Sequence, residues 1–272
     1  MPTVRLLAFS TALFVLTASS NHALGQTAAP PASERTLLAV FAHPDDETMA
    51  GPLLARYGRD KGVAVHLVIA SNGERGVMPF AGIPAGDQLA AVRGKEAACA
   101  AEALGARPPV LLGFPDGGLN QSQALAELAT KLEQVIKDIG PQAIVTWGPE
   151  GGYGHPDHRL VSAVVTQIVQ TGSVTANLLY ASLPKSGLRP ELLATLKFPA
   201  PFRPTADEQL NVRVAYTAGD ARRARTALGC HASQFTPQTM DTITSLTEQV
   251  NRGTAYLRGW NGGRERQSVF PD

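Results

Sequence analysis

The feature that most constrains the fold of this chain is a series of short apolar runs separated by helix-like segments. These runs are Leu37–Ala42, Val63–Ala70, Val110–Phe114, Ala143–Trp147, Asn177–Leu183 and Leu210–Tyr216. Segments with helical patterning lie between them, at 46–61, 88–104, 122–139 and 158–170. Apolar strands that alternate with helices are typical of a parallel sheet covered on both faces. The pattern predicts a Rossmann-like α/β three-layer sandwich with a mostly parallel central sheet, in one domain over residues 36–272.

The first 25 residues differ from the rest of the chain. Arg5 precedes an apolar segment from Leu6 to Leu16, and small and polar residues follow it. Ala23-Leu24-Gly25 fits the small-x-small cleavage rule, so we predict a secretory signal peptide over 1–25 and a flexible segment over 26–35. The apolar segment is shorter than the roughly 20 residues that span a bilayer, although an uncleaved anchor is an alternative. We therefore expect a periplasmic or secreted protein without a stable membrane anchor.

Charge and cysteine content bear on partners and compartment. The formal net charge is +1, and loss of Arg5 with the leader would make the chain neutral. A neutral domain without basic runs has no electrostatic reason to bind nucleic acid. The two cysteines, Cys99 and Cys230, could pair in an oxidising compartment. Two buried free thiols are equally compatible with the sequence.

Two irregular segments lie between the expected elements. Residues 72–87 are rich in glycine and proline, and residues 184–208 carry five prolines with a short helix expected near Glu191–Leu196. Long irregular loops in a compact domain are often functional rims. Plain surface insertions are the alternative, especially for the second segment.

Ionisable residues cluster at the ends of two expected strands. The segment His43-Pro44-Asp45-Asp46-Glu47 follows the first strand, and His155-Pro156-Asp157-His158 follows the strand that ends at Trp147. A helix start would explain the prolines and one or two acids, but it does not explain the histidines. The chain has six histidines, of which one lies in the leader and three lie in these segments. Parallel strands place their carboxyl ends at one edge, so we expect the two segments to meet there.

The residue types favour a catalytic zinc site. His43 and Asp46, three positions apart, can face one point from a first helical turn, and His158 can approach from the second segment. Three nitrogen and oxygen ligands with an open fourth position are typical of hydrolytic zinc, whereas structural zinc sites usually contain cysteine. Zinc would lower the pKa of a bound water and polarise a carbonyl. Other divalent transition metals would fit the same ligands.

Asp45 and His155 remain beside the expected metal without being needed as ligands. A carboxylate next to an activated water is suited to act as a general base. A histidine opposite it can stabilise an oxyanion and protonate a leaving nitrogen, with Asp157 placed to orient or charge it. The sequence therefore predicts a metal hydrolase in which Asp45, His155 and Asp157 are catalytic.

The motifs "AHPDDE" and "HPDH", in this order over this α/β alternation, resemble the PIG-L/LmbE family of zinc-dependent N-deacetylases. "RGKEAACAAEALG" and "GFPDGG" resemble two further family segments, and the likeness extends from about Leu37 to Gln234. The resemblance implies an LmbE-like fold and an amino-sugar substrate of the N-acetylglucosamine type, either a small molecule or an oligosaccharide. It also implies the following roles: one zinc ion held by His43, Asp46 and His158, a general base at Asp45, a transition-state histidine at His155, and substrate contacts at Arg93 and Asp116.

Other functions of the same residues stay open at this point. An amidase for a non-sugar N-acyl substrate or a thiol conjugate would use the same site. A non-catalytic carbohydrate-binding relative would normally have lost a ligand or the base, and metal storage would need neither Asp45 nor His155. Glu47 is interpreted as a brace for a ligand or as a helix-start acid. His231, in "CHASQF", resembles part of a family segment near the site and either contacts substrate or has no substrate role.

Overall fold

The computed structural model describes residues 1–2, 34–188 and 204–271. Contacts divide the chain into Met1–Ala32 and Ser33–Asp272, and the features below belong to the second unit. Apart from Met1 and Pro2, the predicted signal peptide lies outside the described residues, as does the helix expected near Glu191–Leu196. Within the described ranges, no helix is both long and apolar enough to cross a membrane.

Helices alternate with strands as far as the fifth strand. The described strands are β1 (Arg35–Phe41), β2 (Val63–Ser71), β3 (Val110–Phe114), β4 (Ala143–Trp147), β5 (Asn177–Ala181), β6 (Val212–Ala215) and β7 (Thr254–Gly259). The described α-helices are α1 (Gly51–Gly58), α2 (Asp87–Leu104), α3 (Ser122–Ile139), α4 (Pro156–Gln170), α5 (Ala218–Cys230) and α6 (Pro237–Asn251). Short 3₁₀ turns lie at Asp46–Ala50, Pro79–Ala81, Lys185–Gly187 and Asp207–Gln209.

The strands form one sheet in the order β3-β2-β1-β4-β5-β7-β6. β1 is parallel to β2 on one side and to β4 on the other, with Leu38 opposite both His66 and Ile144. β3 and β5 continue the parallel arrangement. β7 runs antiparallel to its neighbours β5 and β6. The predicted α/β fold with a mostly parallel sheet is confirmed.

The side chains of β1 alternate between two apolar layers, one on each face of the sheet. Leu37, Ala39 and Phe41 belong to the layer that includes buried residues of α1, α2 and α5. Leu38 and Val40 belong to the layer that includes buried residues of α3 and α4. Because helices cover both faces, the central strands have no solvent side, and this explains their unbroken apolar runs. The sheet is the rigid middle layer from which the site residues extend.

The structure differs from the sequence expectation in two places. The helix expected over 46–61 is divided into a 3₁₀ turn and α1, which begins at Gly51 with Pro52 in its first turn. The elements α5, α6 and β7 were not predicted. α5 buries only Asp220, Ala227 and Leu228 among several arginines, so it lacks the apolar stripe that marks a helix in a sequence.

A disulfide joins α2 to α5. Cys99 and Cys230 are bonded, with their Cα atoms 5.7 Å apart, within the usual range for a disulfide. Of the two alternatives left by the sequence, the structure therefore has the paired one. Cys99 is exposed and Cys230 is half-buried, so neither is the buried free thiol of the other alternative.

Candidate active site

Both clusters of ionisable residues lie at the carboxyl edge of the sheet, as predicted. His43 follows β1, His155 lies between β4 and α4, and these two strands are neighbours. β2 and β3 extend to one side of this pair and β5 to the other, so the strand order reverses between β1 and β4. Open α/β sheets bind their ligands at such a point.

Nitrogen and oxygen atoms of the three predicted metal ligands lie close to one another. His43 Nδ1 lies 3.1 Å from His158 Nε2, and His158 Nε2 lies 3.1 Å from Asp46 Oδ1. His43 Nδ1 lies 3.5 Å from Asp46 Oδ2. Ligand atoms at zinc–ligand distances of about 2.0–2.1 Å in a tetrahedral site would be about 3.3–3.4 Å apart. All three residues are buried, and their spacing fits a small divalent cation.

The second ring nitrogen of each of the two predicted histidine ligands has an acceptor of its own. His43 Nε2 lies 3.2 Å from Asp116 Oδ1 and 3.4 Å from Asp157 Oδ2, and His158 Nδ1 lies 3.2 Å from the carbonyl oxygen of Gly151. Metal-binding histidines usually make such a bond, which fixes the tautomer and the ring orientation. Burial alone would lower the pKa of His43, but the surrounding carboxylates raise it well above its usual range. The same negative charge would attract a cation.

Asp46 is oriented by several donors. Its Oδ2 accepts the backbone N–H groups of Ala42 and His43, at 3.1 and 2.8 Å, and the indole N–H of Trp147, at 3.3 Å. Burial alone would raise the pKa of Asp46, but the facing His158 and His43 lower it well below its usual range. The carboxylate is therefore ionised, as a metal ligand must be. Its other oxygen, Oδ1, lies next to His158.

The predicted general base, Asp45, has an unusual backbone conformation, with φ 110° and ψ −21°. Its Oδ2 accepts a hydrogen bond from Arg93 Nη2 at 2.9 Å. Burial raises the pKa of Asp45 to about 6, although the charge of Arg93 lowers it, and Asp46 raises it further. A carboxyl group whose pKa lies this close to neutrality is suited to exchange protons with a substrate.

Arg93, predicted to contact substrate, lies beneath this loop and is only 3% exposed. Besides Asp45, its guanidinium donates to the carbonyl oxygens of Pro44 and Gly73. A Cβ atom at Gly73 or Gly76 would lie 2.3 or 2.5 Å from Nη1, so glycine is needed for the loop to close over it. The guanidinium of Arg93 therefore supports the segment that carries Asp45, the predicted general base. Its contact with substrate stays a prediction.

Asp116, the other predicted substrate residue, also lies at the site. One of its carboxylate oxygens faces His43, and Oδ2 accepts the backbone N–H of Arg75 at 3.2 Å. Glu74 accepts the backbone N–H of Asp116 in return, at 3.0 Å. These bonds tie the 72–87 loop to the site, so this loop is a rim of the site as expected. The sugar contact of Asp116 stays a prediction.

His155 borders the three metal donors from the second segment. Ring nitrogens of His43, His155 and His158 lie within 4.8 Å of one another. His155 Nδ1 accepts the backbone N–H of Asp157 at 3.2 Å, which leaves the proton of a neutral ring on Nε2. Burial lowers the pKa of His155, and the charges of His43 and His158 lower it further. The ring is therefore a neutral donor through Nε2.

The carboxylate of Asp157 is placed differently from the expectation. It was predicted to orient or charge His155. Its charge does raise the pKa of His155, but its Oδ2 lies 3.4 Å from His43 Nε2 and accepts the backbone N–H of Gly117 at 2.8 Å. The main-chain N–H of Asp157, and not its carboxylate, orients His155. This arrangement arises because Asp157 lies in the first turn of α4, where His155 is the N-cap residue.

Two aromatic residues form walls of the site. The Trp147 ring stacks on His158, with ring centres 4.6 Å apart and planes at 4°. The sequence analysis missed Tyr153, whose ring contacts His158 and His155 edge-on. Burial raises the pKa of the Tyr153 hydroxyl, and the charges of Asp46 and Asp45 raise it further, so this phenol stays neutral. The signal for Tyr153 was an aromatic residue between glycines, directly before the second motif.

Comparisons with known proteins agree with this geometry. Residues 38–169 match the sequence profile of the family described as PIG-L, GlcNAc-PI de-N-acetylase. A 1D-myo-inositol 2-acetamido-2-deoxy-alpha-D-glucopyranoside deacetylase from Rhodococcus opacus (strain B4) is 32% identical over 257 residues, which cover 80% of this chain and 88% of that protein.

Solved structures show the same fold at lower identity. N,N'-diacetylchitobiose deacetylase from Pyrococcus horikoshii has a TM-score of 0.57 at 22% identity, covering 83% of this chain and 82% of that one. GalB, a 4-carboxy-2-hydroxymuconate hydratase from Pseudomonas putida KT2440, has a TM-score of 0.59 at 21% identity, covering 88% and 97%. Since a deacetylase and a hydratase share this fold, the fold alone does not assign the reaction.

Proposed function

This chain belongs to the PIG-L family of de-N-acetylases, and we propose that it removes the N-acetyl group from an N-acetylglucosamine-type amino sugar in a metal-dependent hydrolysis. The observation that carries the proposal is the close approach of nitrogen and oxygen atoms of His43, Asp46 and His158, beside Asp45 in the sequence. The name of the R. opacus relative describes an acetamido sugar as its substrate, and this supports the substrate class.

Five residues of this chain would carry the reaction in complementary roles. A divalent ion at His43, Asp46 and His158 would lower the pKa of a water molecule and polarise the acetyl carbonyl group. Asp45, with its pKa raised to about 6, accepts a proton from the attacking water. The Nε2–H group of His155 donates a hydrogen bond to the carbonyl oxygen as negative charge develops on it. Asp45 then returns the proton to the leaving nitrogen, and the C–N bond breaks to give acetate and a free amine.

The structure bears on which residue protonates the leaving nitrogen. Protonation of His155 at Nδ1 would place a proton against the N–H of Asp157, which already donates to that nitrogen. A charged imidazolium is therefore disfavoured in this position. For this reason we assign His155 to the oxyanion and Asp45 to both proton transfers.

We also propose zinc as the ion and export as the destination. A set of two imidazoles and one carboxylate is typical of catalytic zinc sites, and the donor spacing described above supports that choice. The signal-like composition of residues 1–25 supports export. The disulfide between Cys99 and Cys230 supports it independently, since such bonds persist mainly in oxidising compartments.

The test is amine release from a panel of N-acetylglucosamine mono- and oligosaccharides, with protein stripped of metal and then reconstituted with zinc. We expect release that requires zinc and falls about 10²–10⁴-fold in Asp45→Asn. Asparagine tolerates a positive φ angle, so this variant keeps the loop and removes the base. Release only from N-acyl peptides or thiol conjugates would instead favour the non-sugar amidase. Zinc binding without release from any substrate class would contradict the enzyme.

A further inference from the structure

The backbone of Asp45 is strained and must be held in place by its surroundings. Its φ of 110° lies in a region that side chains rarely adopt, and among the described residues other than glycine only Arg252 also has a positive φ. Such a conformation is unfavourable and persists only where neighbouring groups determine it. The residues that bond to the Asp45 backbone therefore help to fix the position of its carboxylate.

Two neighbouring residues fix both sides of Asp45. The Asp45 N–H donates to Glu47 Oε2 at 3.0 Å. The Asp45 carbonyl oxygen accepts from the backbone N–H of Thr48 at 3.1 Å and from the Thr48 hydroxyl at 2.6 Å. The bonds from Thr48 are local and belong to the 3₁₀ turn itself. Glu47 differs, because its carboxylate depends on a second partner from a distant part of the chain.

That second partner is His231. Its Nε2 lies 2.6 Å from Glu47 Oε1, across 184 residues of sequence, and both side chains are fully buried. Burial alone would lower the pKa of His231, but the charge of Glu47 raises it. A buried polar group that loses its hydrogen-bond partner is unfavourable, so each member of this short, buried contact holds the other in place.

Residues next to His231 in the sequence are bonded to other parts of the chain, and these bonds hold His231 in this position. The preceding residue, Cys230, is bonded to Cys99 of α2. Ser233 donates to both carboxylate oxygens of Glu96, from its backbone N–H and its hydroxyl, each at 2.7 Å. Gln234 donates to the carbonyl oxygen of Gly76 at 3.0 Å. The segment 230–234 is thus anchored to α2 and to the 72–87 loop, and these bonds hold His231 beside Glu47.

We propose that Glu47 and His231 form a positioning pair for the general base, in which His231 fixes the Glu47 carboxylate and Glu47 fixes the strained backbone of Asp45. The inference rests on the proposed function, in which Asp45 is the base. One carboxylate oxygen of Glu47 accepts the Asp45 N–H and the other contacts His231 Nε2. Glu47 therefore has a different role from the predicted metal ligands. It also gives His231 a role other than the substrate contact considered from the sequence.

The test compares turnover, metal content and backbone protection in variants of the zinc-loaded protein. His231→Ala should lower kcat about 10–100-fold, because small misplacements of a reacting group have effects of this size, with KM and zinc content unchanged. Glutamine has a donor in the place of His Nε2, so His231→Gln should recover most of the turnover. His66→Ala removes an imidazole from β2, away from Glu47, and serves as the matched control, with turnover close to wild type.

A double-variant cycle shows whether His231 acts through Asp45. In an Asp45→Asn background the His231→Ala change should have little further effect on kcat, because residues that act as a unit are not additive. Hydrogen exchange should show faster exchange of the Asp45 amide in His231→Ala than in His66→Ala. An undiminished kcat in His231→Ala, an equal loss in His66→Ala, or a full additive loss in the double variant would each overturn the inference. Normal turnover in Asp45→Asn alone would instead contradict the proposed function.

Discussion

At the scale of single residues, the two histidines of the second motif have different partners although they are only three positions apart. His158 Nε2 lies close to Asp46 Oδ1 and His43 Nδ1, whereas His155 Nδ1 accepts a hydrogen bond from the backbone N–H of Asp157. We expect His158→Ala to lose zinc and, with it, activity. We expect His155→Ala to keep zinc and lose about 10²–10³-fold in kcat, the usual effect of removing an oxyanion donor.

Metal analysis after gel filtration, alongside steady-state kinetics, measures both effects on the same samples. His66 provides a matched control, since it lies in β2 away from both motifs and His66→Gln should change neither quantity. Equal zinc loss in the His155 and His158 variants would contradict the division of roles.

At the scale of elements, α5 is tied to the end of α1 by a buried carboxylate. Asp220 accepts Arg59 Nε and Nη2 at 2.9 and 3.1 Å, and with Thr217 it forms the capping box of α5. Burial would raise the pKa of Asp220, but Arg59 and Thr217 lower it to about 2. Because the folded-state pKa lies below the unfolded value, this contribution to stability is complete above about pH 4 and disappears as the pH falls towards 2.

Thermal unfolding of wild type and Asp220→Asn between pH 2 and pH 7 checks this contribution. We expect the variant to be less stable by about 1–2 kcal/mol near neutral pH, allowing for the screening of the half-exposed Arg59. The difference should shrink below about pH 4. A difference that stays constant down to the lowest pH would assign the effect to packing and not to the charge of Asp220.

The disulfide between α2 and α5 gives the second prediction at this scale. It joins residues 131 positions apart, and the chain-entropy model assigns such a loop about 5 kcal/mol, although measured effects are typically about 2–4 kcal/mol. We expect Cys99→Ser/Cys230→Ser to lower the free energy of unfolding by an amount in the measured range. Chemical denaturation of the double variant and of wild type, with and without reductant, measures it. Reductant should destabilise wild type and leave the double variant unchanged, and sensitivity of both proteins would contradict the assignment.

At the scale of the whole molecule, the sequence predicted the parts whose signals are local. β1, β2 and β4 are buried on both faces and therefore appear as unbroken apolar runs. The two histidine-containing motifs follow β1 and β4, where neighbouring parallel strands end. The contact between Glu47 and His231 could not be predicted, because it depends on α5 and on the folding of residues 184 positions apart. The direction of the Asp157 carboxylate was also missed, since it depends on the rotation of the first turn of α4 and not on spacing.

The whole fold brings the metal donors together, and metal binding should therefore stabilise the whole fold. His43 and His158 are 115 positions apart, so the unfolded chain does not present the site. A ligand that binds only the folded state stabilises it by about 2.7 kcal/mol at 100 times its dissociation constant. For a domain of this size that corresponds to a rise in the unfolding midpoint of about 5–11 °C. Calorimetry of metal-stripped protein with increasing zinc measures the shift, with His158→Ala as the control that should show none. An unfolding midpoint of wild type that does not change with zinc would contradict zinc binding by the folded protein. An equal rise of the midpoint in His158→Ala would place the ion elsewhere.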